Sequence, residues 1–409
     1  MQTTEKQTPE KQIPKKQIPK EQIPDLQDPD SGLRGLHAGL QSIDLLVPEL
    51  FASDGGIQAY SRTLIRALQK LRPQMHMRVF ILNDHPHHLP NSGWPGIAWF
   101  AAAGSRTRLV GSLLGAARQR RADVLVATHS HFAPLQWLHH QLSGTPSWCS
   151  AHGIEVWSLR PGWRCWCLAH LQRLLPVSRF TAEQLSRQLG EHCPPLAWLP
   201  NSFDPQRFSP GPRPNALVQR YQLETDQPLI FSLSRLSQSD RYKHLDRLIE
   251  AIPALLPQWP KLRLMIAGDG DDRPRLEALV QQLDLQRHVI FCGRLPEHEL
   301  ADHMRLASVF ALPSSGEGFG IVFLEALGCG RPVLAGNQDG SCDPLADGRL
   351  GLLIDPDQPL APALTSLLQG QGEDLWFQPQ ALAQAAMAAF GFEAFCRRLE
   401  AQLLTLESR

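Results

Sequence analysis

The chain lacks an excess of either charge, because its 409 residues contain 40 Lys and Arg against 40 Asp and Glu. Nucleic-acid-binding proteins carry a clustered basic surface, so this balance argues against nucleic acid as a partner. The chain also lacks any run of 18 apolar residues, which argues against a membrane-spanning helix. Its opening stretch, MQTTEKQTPEKQ, has none of the apolar core that is typical of a secretory signal. Together these absences predict a cytoplasmic protein.

Sequence motifs for metals and cofactors are missing as well. The chain contains no HExxH, no H-x-E and no P-loop, and none of its eight cysteines pair as CxxC. We therefore expect no metal and no cofactor, and we interpret the cysteines as reduced thiols. The segment GDGDDR at 268–273 approaches the dinucleotide fingerprint G-x-G-x-x-G, but Arg273 stands in place of its third glycine. A nicotinamide cofactor is accordingly not expected.

Residues 1–35 differ in composition from the rest of the chain. Four five-residue units, KQTPE, KQIPK, KQIPK and EQIPD, follow one another between Lys6 and Asp25. Every unit contains proline and almost no large apolar side chain, so the segment cannot form a packed core. We predict a disordered tail over 1–35.

After residue 36, short apolar runs alternate with amphipathic helical segments. Such alternation is typical of a parallel sheet that is covered by helices on both faces. A proline-rich stretch without long apolar runs, 201–228, divides the pattern into two series of similar length. The predicted strands are 43–47, 78–82, 123–128, 148–151, 174–177 and 196–199 in the first series, and 229–233, 262–268, 288–293, 309–313, 332–336 and 351–355 in the second.

This pattern predicts an α/β protein with two Rossmann-like domains in tandem, at 36–205 and 206–385. The amphipathic segment FGFEAFCRRLEAQLL predicts a last helix within 386–409 that packs back toward the first domain. Open α/β sheets bind ligands beyond the carboxyl ends of their strands, so we expect the active site in the cleft between the domains.

The stretch EGFGIVFLEALGCGRPVLA places Glu317 and Glu325 eight positions apart. It follows a predicted strand, and its glycines precede a helix that we predict from about Phe319. Free N–H groups at the N-terminus of a helix bind anions. One ligand could therefore place its phosphates over the glycines, a sugar against Glu317 and ribose hydroxyls against Glu325. The alternative is that the two glutamates are unrelated surface residues.

Three further groups of residues lie in the segments that follow predicted strands. Arg235 and Lys243 have the charges that a diphosphate needs, although two loop cations are more often solvated. Gly55 and Gly56 open a helix, where a simple helix cap is the alternative. His152 precedes a glycine at the end of a strand, but a lone histidine is usually structural.

Taken together, these stretches resemble glycosyltransferase family 4, a family of retaining enzymes with the GT-B fold. The resemblance implies a hexosyltransferase (EC 2.4) that moves a sugar from a UDP or GDP donor to a glycan, lipid-linked or small-molecule acceptor, without a metal, in polysaccharide or glycoconjugate biosynthesis. The matching segments lie between about residue 43 and residue 400 and include GGIQAYSRTL, AHGIEVW, PVSRFTAEQL, LPNSFDPQRF, SRLSQSDRYKHLDRLIEA and PSSGEGFGIVFLEALGCGRPVLAGNQDGS.

The resemblance also implies a role for each side chain. Glu317 and His152 would lie by the donor sugar, and Glu325 would bind the ribose hydroxyls. Arg235 and Lys243 would hold the diphosphate.

Two features depart from the family pattern: the Arg–Lys spacing of eight is longer than usual, and His244 stands where a glycine usually follows the lysine.

Backbone groups are implied to contact the donor at three further places. The implied backbone contacts are Gly55 and Gly56 near the phosphates, Gly318, Phe319 and Gly320 closing on the donor, and Arg294 and Leu295 at the nucleobase.

Two other functions stay open at this point. A nucleotide-sugar 2-epimerase has the same two-domain architecture, and a catalytically inactive scaffold would keep the fold. Nucleotide release that depends on the donor separates all three functions.

The segment VWSLRPGWRCWCLAHLQRLL at 156–175 combines tryptophans with arginines, a mixture that favours the headgroup region of a bilayer. We expect this segment to dock the enzyme peripherally on the inner face of the membrane. The alternative is that the tryptophans pack under the sheet or line a glycan groove, with Cys165, Cys167 and Leu168 forming a core face. The residues in question are Trp157, Trp163, Trp166, Arg160, Arg164 and Arg173.

Overall fold

The structure, a computed structural model, describes residues 39–53, 55–224 and 226–407. The predicted disordered tail over 1–35 lies outside the described residues.

The first half of the described chain forms a six-stranded parallel sheet in the order β3-β2-β1-β4-β5-β6. Helices cover both of its faces, as the alternating pattern predicts. The strands are β1 (Ser42–Val47), β2 (His76–Ile81), β3 (Ile97–Ala101), β4 (Val124–Ala127), β5 (Ser147–Ala151) and β6 (Arg173–Pro176), and the helices are α1 (Gly56–Leu71), α2 (Arg106–Gln119), α3 (Ala133–Ser143), α4 (Ile154–Trp157), α5 (Trp163–Ala169) and α6 (Arg179–Leu189).

The second half repeats this topology, with a parallel sheet in the order β12-β11-β10-β7-β8-β9. Two sheets of the same winding confirm the predicted pair of Rossmann-like domains. The strands are β7 (Leu229–Leu233), β8 (Arg263–Ala267), β9 (Val289–Gly293), β10 (Val309–Leu312), β11 (Val333–Gly336) and β12 (Leu352–Ile354), and the helices are α7 (Asn215–Arg220), α8 (Leu245–Leu255), α9 (Arg273–Gln282), α10 (Leu300–Leu306), α11 (Ile321–Gly328), α12 (Leu360–Leu368), α13 (Pro379–Phe390) and α14 (Phe392–Glu407).

Two strand predictions in the first half are wrong. The edge strand β3 was not predicted, because it lies in the proline- and glycine-rich stretch NSGWPGIAWF and is only half-buried. The predicted strand 196–199 makes one isolated parallel bridge, between Leu174 and Leu196, and forms no strand of its own. Prolines before and after this segment have no N–H group to donate, which limits the pairing.

The last helix, α14, lies against α1 of the first sheet. The rings of Tyr60 and Phe395 meet edge to face with centroids 5.9 Å apart, and Arg72 pairs with Glu407 at 3.0 Å. The helix that follows the second sheet in the chain therefore packs against the first domain. The division at 205–206 and 385–386 stays a prediction. Among the described residues, no helix has both the length and the apolar character that crossing a bilayer requires.

The near-fingerprint GDGDDR has a structural explanation. A side-chain Cβ at Gly268 would overlap the carbonyl oxygen of Ser234, and one at Gly270 would overlap that of Leu236. The two segments also bond to each other, since Leu236 N donates to the Asp269 carbonyl at 3.0 Å. These glycines therefore support the loop after β7, which carries Arg235, by allowing close backbone approach.

We predict that Gly268→Ala destabilises the protein by about 3 kcal/mol or more, because the new methyl group overlaps backbone in a left-handed conformation. Chemical denaturation measures the change. Gly111→Ala is the matched control, since Gly111 lies inside α2 with open space around it and should gain about 0.5–1 kcal/mol. Equal stabilities of the two variants would contradict this packing argument.

Candidate active site

The two halves of the chain meet at the carboxyl ends of their sheets, through backbone contact between Gly318 and His152. A Cβ at Gly318 would overlap the His152 carbonyl oxygen, and a Cβ at Gly153 would lie 2.7 Å from Gly318 Cα. Only glycine permits so close an approach. The loop after β10 and the loop after β5 therefore form one continuous wall, and both predicted loops contribute to it.

Glu317 is held in this wall by its backbone. Its N–H donates to Asp339 Oδ2 at 2.5 Å, and its carbonyl accepts from Gly340 N at 2.9 Å. Ser314 donates to the same Asp339 oxygen at 3.1 Å. Burial raises the pKa of Asp339 to about 6 despite these donors. The Glu317 loop is thus positioned by a second buried carboxyl group from the loop after β11.

Lys243 lies beside Glu317, with Nζ and Oε1 3.1 Å apart and both side chains largely buried. The neighbouring Tyr242 packs under the same loop, since a Cβ at Gly316 would lie 2.7 Å from the tyrosine ring. The structure therefore brings together a cation from the loop after β7 and a carboxylate from the loop after β10.

His244 explains one departure from the family pattern. Its backbone has φ 53° and ψ 39°, the left-handed conformation that glycine adopts most readily. Histidine is among the residues that tolerate this conformation best. Its Nε2 also bonds to Ser315 Oγ at 2.8 Å, which ties the Lys243 loop to the Glu317 loop.

Arg235 occupies a different environment from Lys243. Its side chain is 77% exposed and pairs with Asp240 at 3.1 Å. Burial raises the pKa of Tyr242; of the smaller effects, Glu317 raises it further and Arg235 lowers it, so Tyr242 lies within electrostatic reach of both. The structure places Arg235 at the rim of the Lys243–Glu317 pair rather than in contact with it.

The His152 ring is held by buried contacts. Nε2 bonds to the Thr128 carbonyl at 2.8 Å and must therefore carry the proton, and the Tyr60 ring meets it edge-on at 4.9 Å. Burial lowers the pKa of His152 and keeps the ring neutral. The His152 backbone N–H donates to Glu155 at 2.6 Å. His152 is thus a fixed, uncharged group with Nδ1 as its acceptor.

The helix α1 begins opposite the helix α11. Gly55 caps α1 in extended conformation without a side-chain hydrogen bond, and a Cβ at Gly56 would lie 3.6 Å from Ile321 at the start of α11. The helix predicted from Phe319 begins at Ile321, after Gly320 with φ 83°. Phe319 itself is buried. Two helix N-termini therefore face the same cleft, where their partial positive charges favour an anion.

Glu325 lies on α11, and its carboxylate accepts no hydrogen bond from the described part of the chain. Burial raises the pKa of this carboxyl group to about 7, with smaller effects from Arg207 and Glu297. The same region carries Arg294, which is exposed, and Leu295, which packs against the core. The predicted ribose and nucleobase positions thus share one end of the second domain.

We predict that Glu325→Gln becomes progressively more stable than wild type as the pH rises from 5 to 8. A folded-state pKa of about 7 exceeds the ordinary 4.5, so the folded protein binds this proton more tightly and loses stability as the pH rises through 7. The difference in unfolding free energy between the variant and wild type should grow by about 3 kcal/mol, as measured by denaturation curves. Glu250→Gln, on the exposed side of α8, should show no such trend. A gap independent of pH would refute the burial argument.

Sequence reasoning missed four residues around these groups. Asp339 lies in NQDGS after β11, and Tyr242 lies between the predicted cations. His129 and His131 lie in ATHSHF, directly after β4. The sequence could have indicated His129 and His131, because polar side chains that follow a parallel strand face the cleft.

An ion-pair cluster connects α6 of the first half to the loop that carries Asp339. Arg179 Nε pairs with Asp343 at 2.6 Å, and its Nη2 pairs with Asp347 at 2.6 Å. The Arg179 backbone N–H donates to Asp343 as well, at 2.6 Å. The loop that positions Glu317 is therefore also attached to the opposite domain.

The tryptophan segment divides between core and surface. Cys167 and Leu168 are buried under the sheet, whereas Trp163 and Trp166 are 55% and 41% exposed. Their rings stack at 5.0 Å, and Trp137 of α3 meets both edge-on. The alternative holds for Cys167 and Leu168, which form a core face, whereas the two tryptophans face solvent. Membrane docking stays a prediction. All eight cysteines are free of disulfide bonds.

Two Rossmann-like domains with a cleft at the carboxyl ends of both sheets define a GT-B fold. Two family models match successive parts of the chain: Glycosyltransferase Family 4 at residues 54–207 and Glycosyl transferases group 1 at residues 215–384. The chain belongs to this glycosyltransferase family, which confirms the resemblance seen in its motifs.

The curated relatives match about half of the chain. A GDP-mannose-dependent alpha-(1-6)-phosphatidylinositol monomannoside mannosyltransferase of Mycolicibacterium smegmatis is 36% identical over 222 residues, which are 50% of this chain and 56% of the relative. A D-inositol 3-phosphate glycosyltransferase of Xylanimonas cellulosilytica is 34% identical over 232 residues, 54% of each chain. The chain thus spans about half the length of the curated relatives that it matches.

Solved structures of other proteins match this chain over nearly its whole length. Sucrose-phosphate synthase from Thermosynechococcus elongatus has a TM-score of 0.72 at 22% identity, covering 90% of this chain and 99% of that one. Anabaena HepE in complex with UDP has a TM-score of 0.71 at 18% identity, covering 90% and 100%. These TM-scores establish a common fold, and at identities below 25% the similarity extends to the fold alone.

Proposed function

We propose that this protein is a hexosyltransferase that moves a sugar from a nucleoside-diphosphate donor to a glycolipid or polyol acceptor and retains the anomeric configuration. The observation that carries the proposal is the Lys243–Glu317 pair, 3.1 Å apart, in the loop that contacts His152 across the cleft. The names of the relatives, which include a GDP-mannose-dependent enzyme and an inositol phosphate glycosyltransferase, support this reaction class.

Charge stabilisation of the leaving group is the main task of the proposed site. As the bond from the sugar carbon to the diphosphate breaks, negative charge grows on the phosphate oxygens. Lys243, Arg235 and the N-termini of α1 and α11 would meet this charge from fixed positions. We propose that these groups suffice for turnover without a divalent cation.

The sugar and the ribose would be oriented by the remaining groups. Glu317 and His152 border the site of the sugar, and neutral His152 would accept a hydrogen bond through Nδ1. Ionised Glu325 would accept from the ribose hydroxyls. The acceptor hydroxyl would form its bond to the sugar carbon on the face that the diphosphate leaves, and its proton would pass to the departing phosphate oxygen.

We predict that Lys243→Ala and Arg235→Ala each lower kcat/KM by about 100-fold or more, because each removes a cation that meets the developing charge. A panel of UDP and GDP sugars is assayed for nucleoside diphosphate release, with and without EDTA. Lys261→Ala, which removes an exposed cation paired with Glu224, is the matched control and should retain full activity. EDTA should change nothing.

Three results would count against this proposal. They are the absence of donor-dependent nucleotide release by the wild type with every donor, near-normal turnover in either site variant, and a loss of activity in EDTA that manganese restores.

We further propose that the enzyme docks peripherally on the inner membrane face through a tryptophan patch formed by Leu138, Leu142, Trp163 and Trp166. Five of the seven large apolar side chains that are exposed in the described residues lie between 138 and 166. Exposed indoles next to arginine favour the interface of an anionic bilayer. A glycolipid acceptor would be reached from that surface.

We predict that wild type co-floats with liposomes containing anionic lipid at low salt, and that Trp163→Ala/Trp166→Ala does not, since the indoles supply the buried apolar area. Met387→Ala/Leu404→Ala removes two apolar side chains of comparable exposure elsewhere and is the control. Equal flotation of all three proteins, or none by wild type, would exclude this patch as the membrane contact.

A further inference from the structure

Two histidines that the proposed reaction does not use lie beside His152. His129 caps the 3₁₀ turn Ser130–Phe132 that follows β4, and His131 lies within this turn. The rings of His129 and His131 are 4.4 Å apart, and the His129 ring lies 6.4 Å from that of His152. The pair therefore extends the first-domain wall of the cleft from the sugar site outward.

Hydrogen bonding determines what His129 offers to a ligand. Its Nδ1 accepts from the His131 backbone N–H at 3.2 Å, so the neutral ring carries its proton on Nε2. Burial lowers the pKa of His129 to about 4, which keeps the ring neutral at physiological pH. His129 is thus a fixed N–H donor, and the exposed His131 is a second imidazole beside it.

Positive charge surrounds this pair. Burial lowers the pKa of His131, and Arg164 and Arg106 both lie close enough to lower it further. Arg164 uses one nitrogen to donate to the Glu155 carbonyl at 3.0 Å, which positions the rest of its guanidinium group. Among the residues that the structure describes, Glu155 is the acid whose charge acts on the two histidines, and its carboxylate already accepts from the His152 backbone.

The charge of the whole first domain is positive as well. Residues 39–200 contain 15 Lys and Arg against 8 Asp and Glu, whereas 201–409 contain 19 against 26. The neutral total therefore conceals a basic first domain and an acidic second domain. A concave wall with one sign of charge attracts ligands of the opposite sign.

We propose that His129, His131 and Arg164 form a phosphate subsite for the acceptor, so that the acceptor is a polyol phosphate, free or as a lipid headgroup. This inference rests on the proposed function. Imidazole N–H groups and a guanidinium fork are donors suited to the oxygens of a phosphate. The position next to His152 would set the phosphate beside the ring whose hydroxyl attacks. The relatives named for inositol phosphate and phosphatidylinositol substrates act on acceptors of this chemistry.

The test is direct binding, measured by calorimetry on the full-length protein without turnover. D-inositol 3-phosphate is the probe, and myo-inositol is the phosphate-free control. We expect the wild type to bind the phosphate at least 10-fold more tightly than inositol, and His131→Ala to lose that preference. His131→Arg, which keeps an N–H donor, should retain it. His192→Ala, an exposed histidine of the same domain on the 3₁₀ turn after α6, should bind as wild type does.

Two further arms separate the possible outcomes. Flotation with phosphatidylinositol vesicles, with and without competing D-inositol 3-phosphate, distinguishes a lipid headgroup from a free phosphate, and loss of either interaction in His131→Ala supports the subsite. Binding of UDP and GDP should be unchanged in that variant. Absent nucleotide binding would count against the proposed donor reaction, so its failure is distinguished from failure of the phosphate subsite. Equal binding of the inositol phosphate by wild type and His131→Ala, or no binding by either, would overturn the proposal.

Discussion

The contact between Gly318 and the His152 backbone is the constraint on which the candidate site depends. It requires glycine on both sides, because a Cβ at Gly318 would overlap the His152 carbonyl and one at Gly153 would crowd Gly318 Cα. Through this contact, a carboxylate from one sheet and a neutral imidazole from the other border the same space. Without it, Glu317 and His152 would belong to two separate surfaces.

A chain of buried polar contacts keeps that geometry in place. Asp339 accepts from the Glu317 backbone, and Arg179 attaches the following loop to the first domain through Asp343. Lys243 completes the arrangement from the second domain's first loop. Breaking one partner in such a network leaves a buried charge without compensation, so each residue also positions the others. The site is therefore a property of the closed pair of domains.

The charge distribution gives the two halves different tasks. The first domain contributes an excess of cations, several histidines and an exposed tryptophan patch, which are the basis for the anionic, membrane-associated acceptor that we propose. The second contributes loops and the N-terminus of α11, which suit a nucleoside diphosphate. Composition of the whole chain concealed this division, because the opposite charges of the two domains cancel.

The amino-acid sequence by itself determined the repeated α/β pattern, the two-domain architecture and the family, because apolar periodicity and loop motifs are local properties of a chain. It also indicated Glu317, Lys243 and His152, since each lies in a loop after a strand, and Glu325, since it stands eight positions after Glu317. Only the tertiary structure decided which of these meet: Lys243 contacts Glu317, Arg235 remains at the rim, and His129 lies beside His152. Such contacts depend on how distant loops converge at the ends of two sheets, and that convergence is set by packing between residues far apart in the chain.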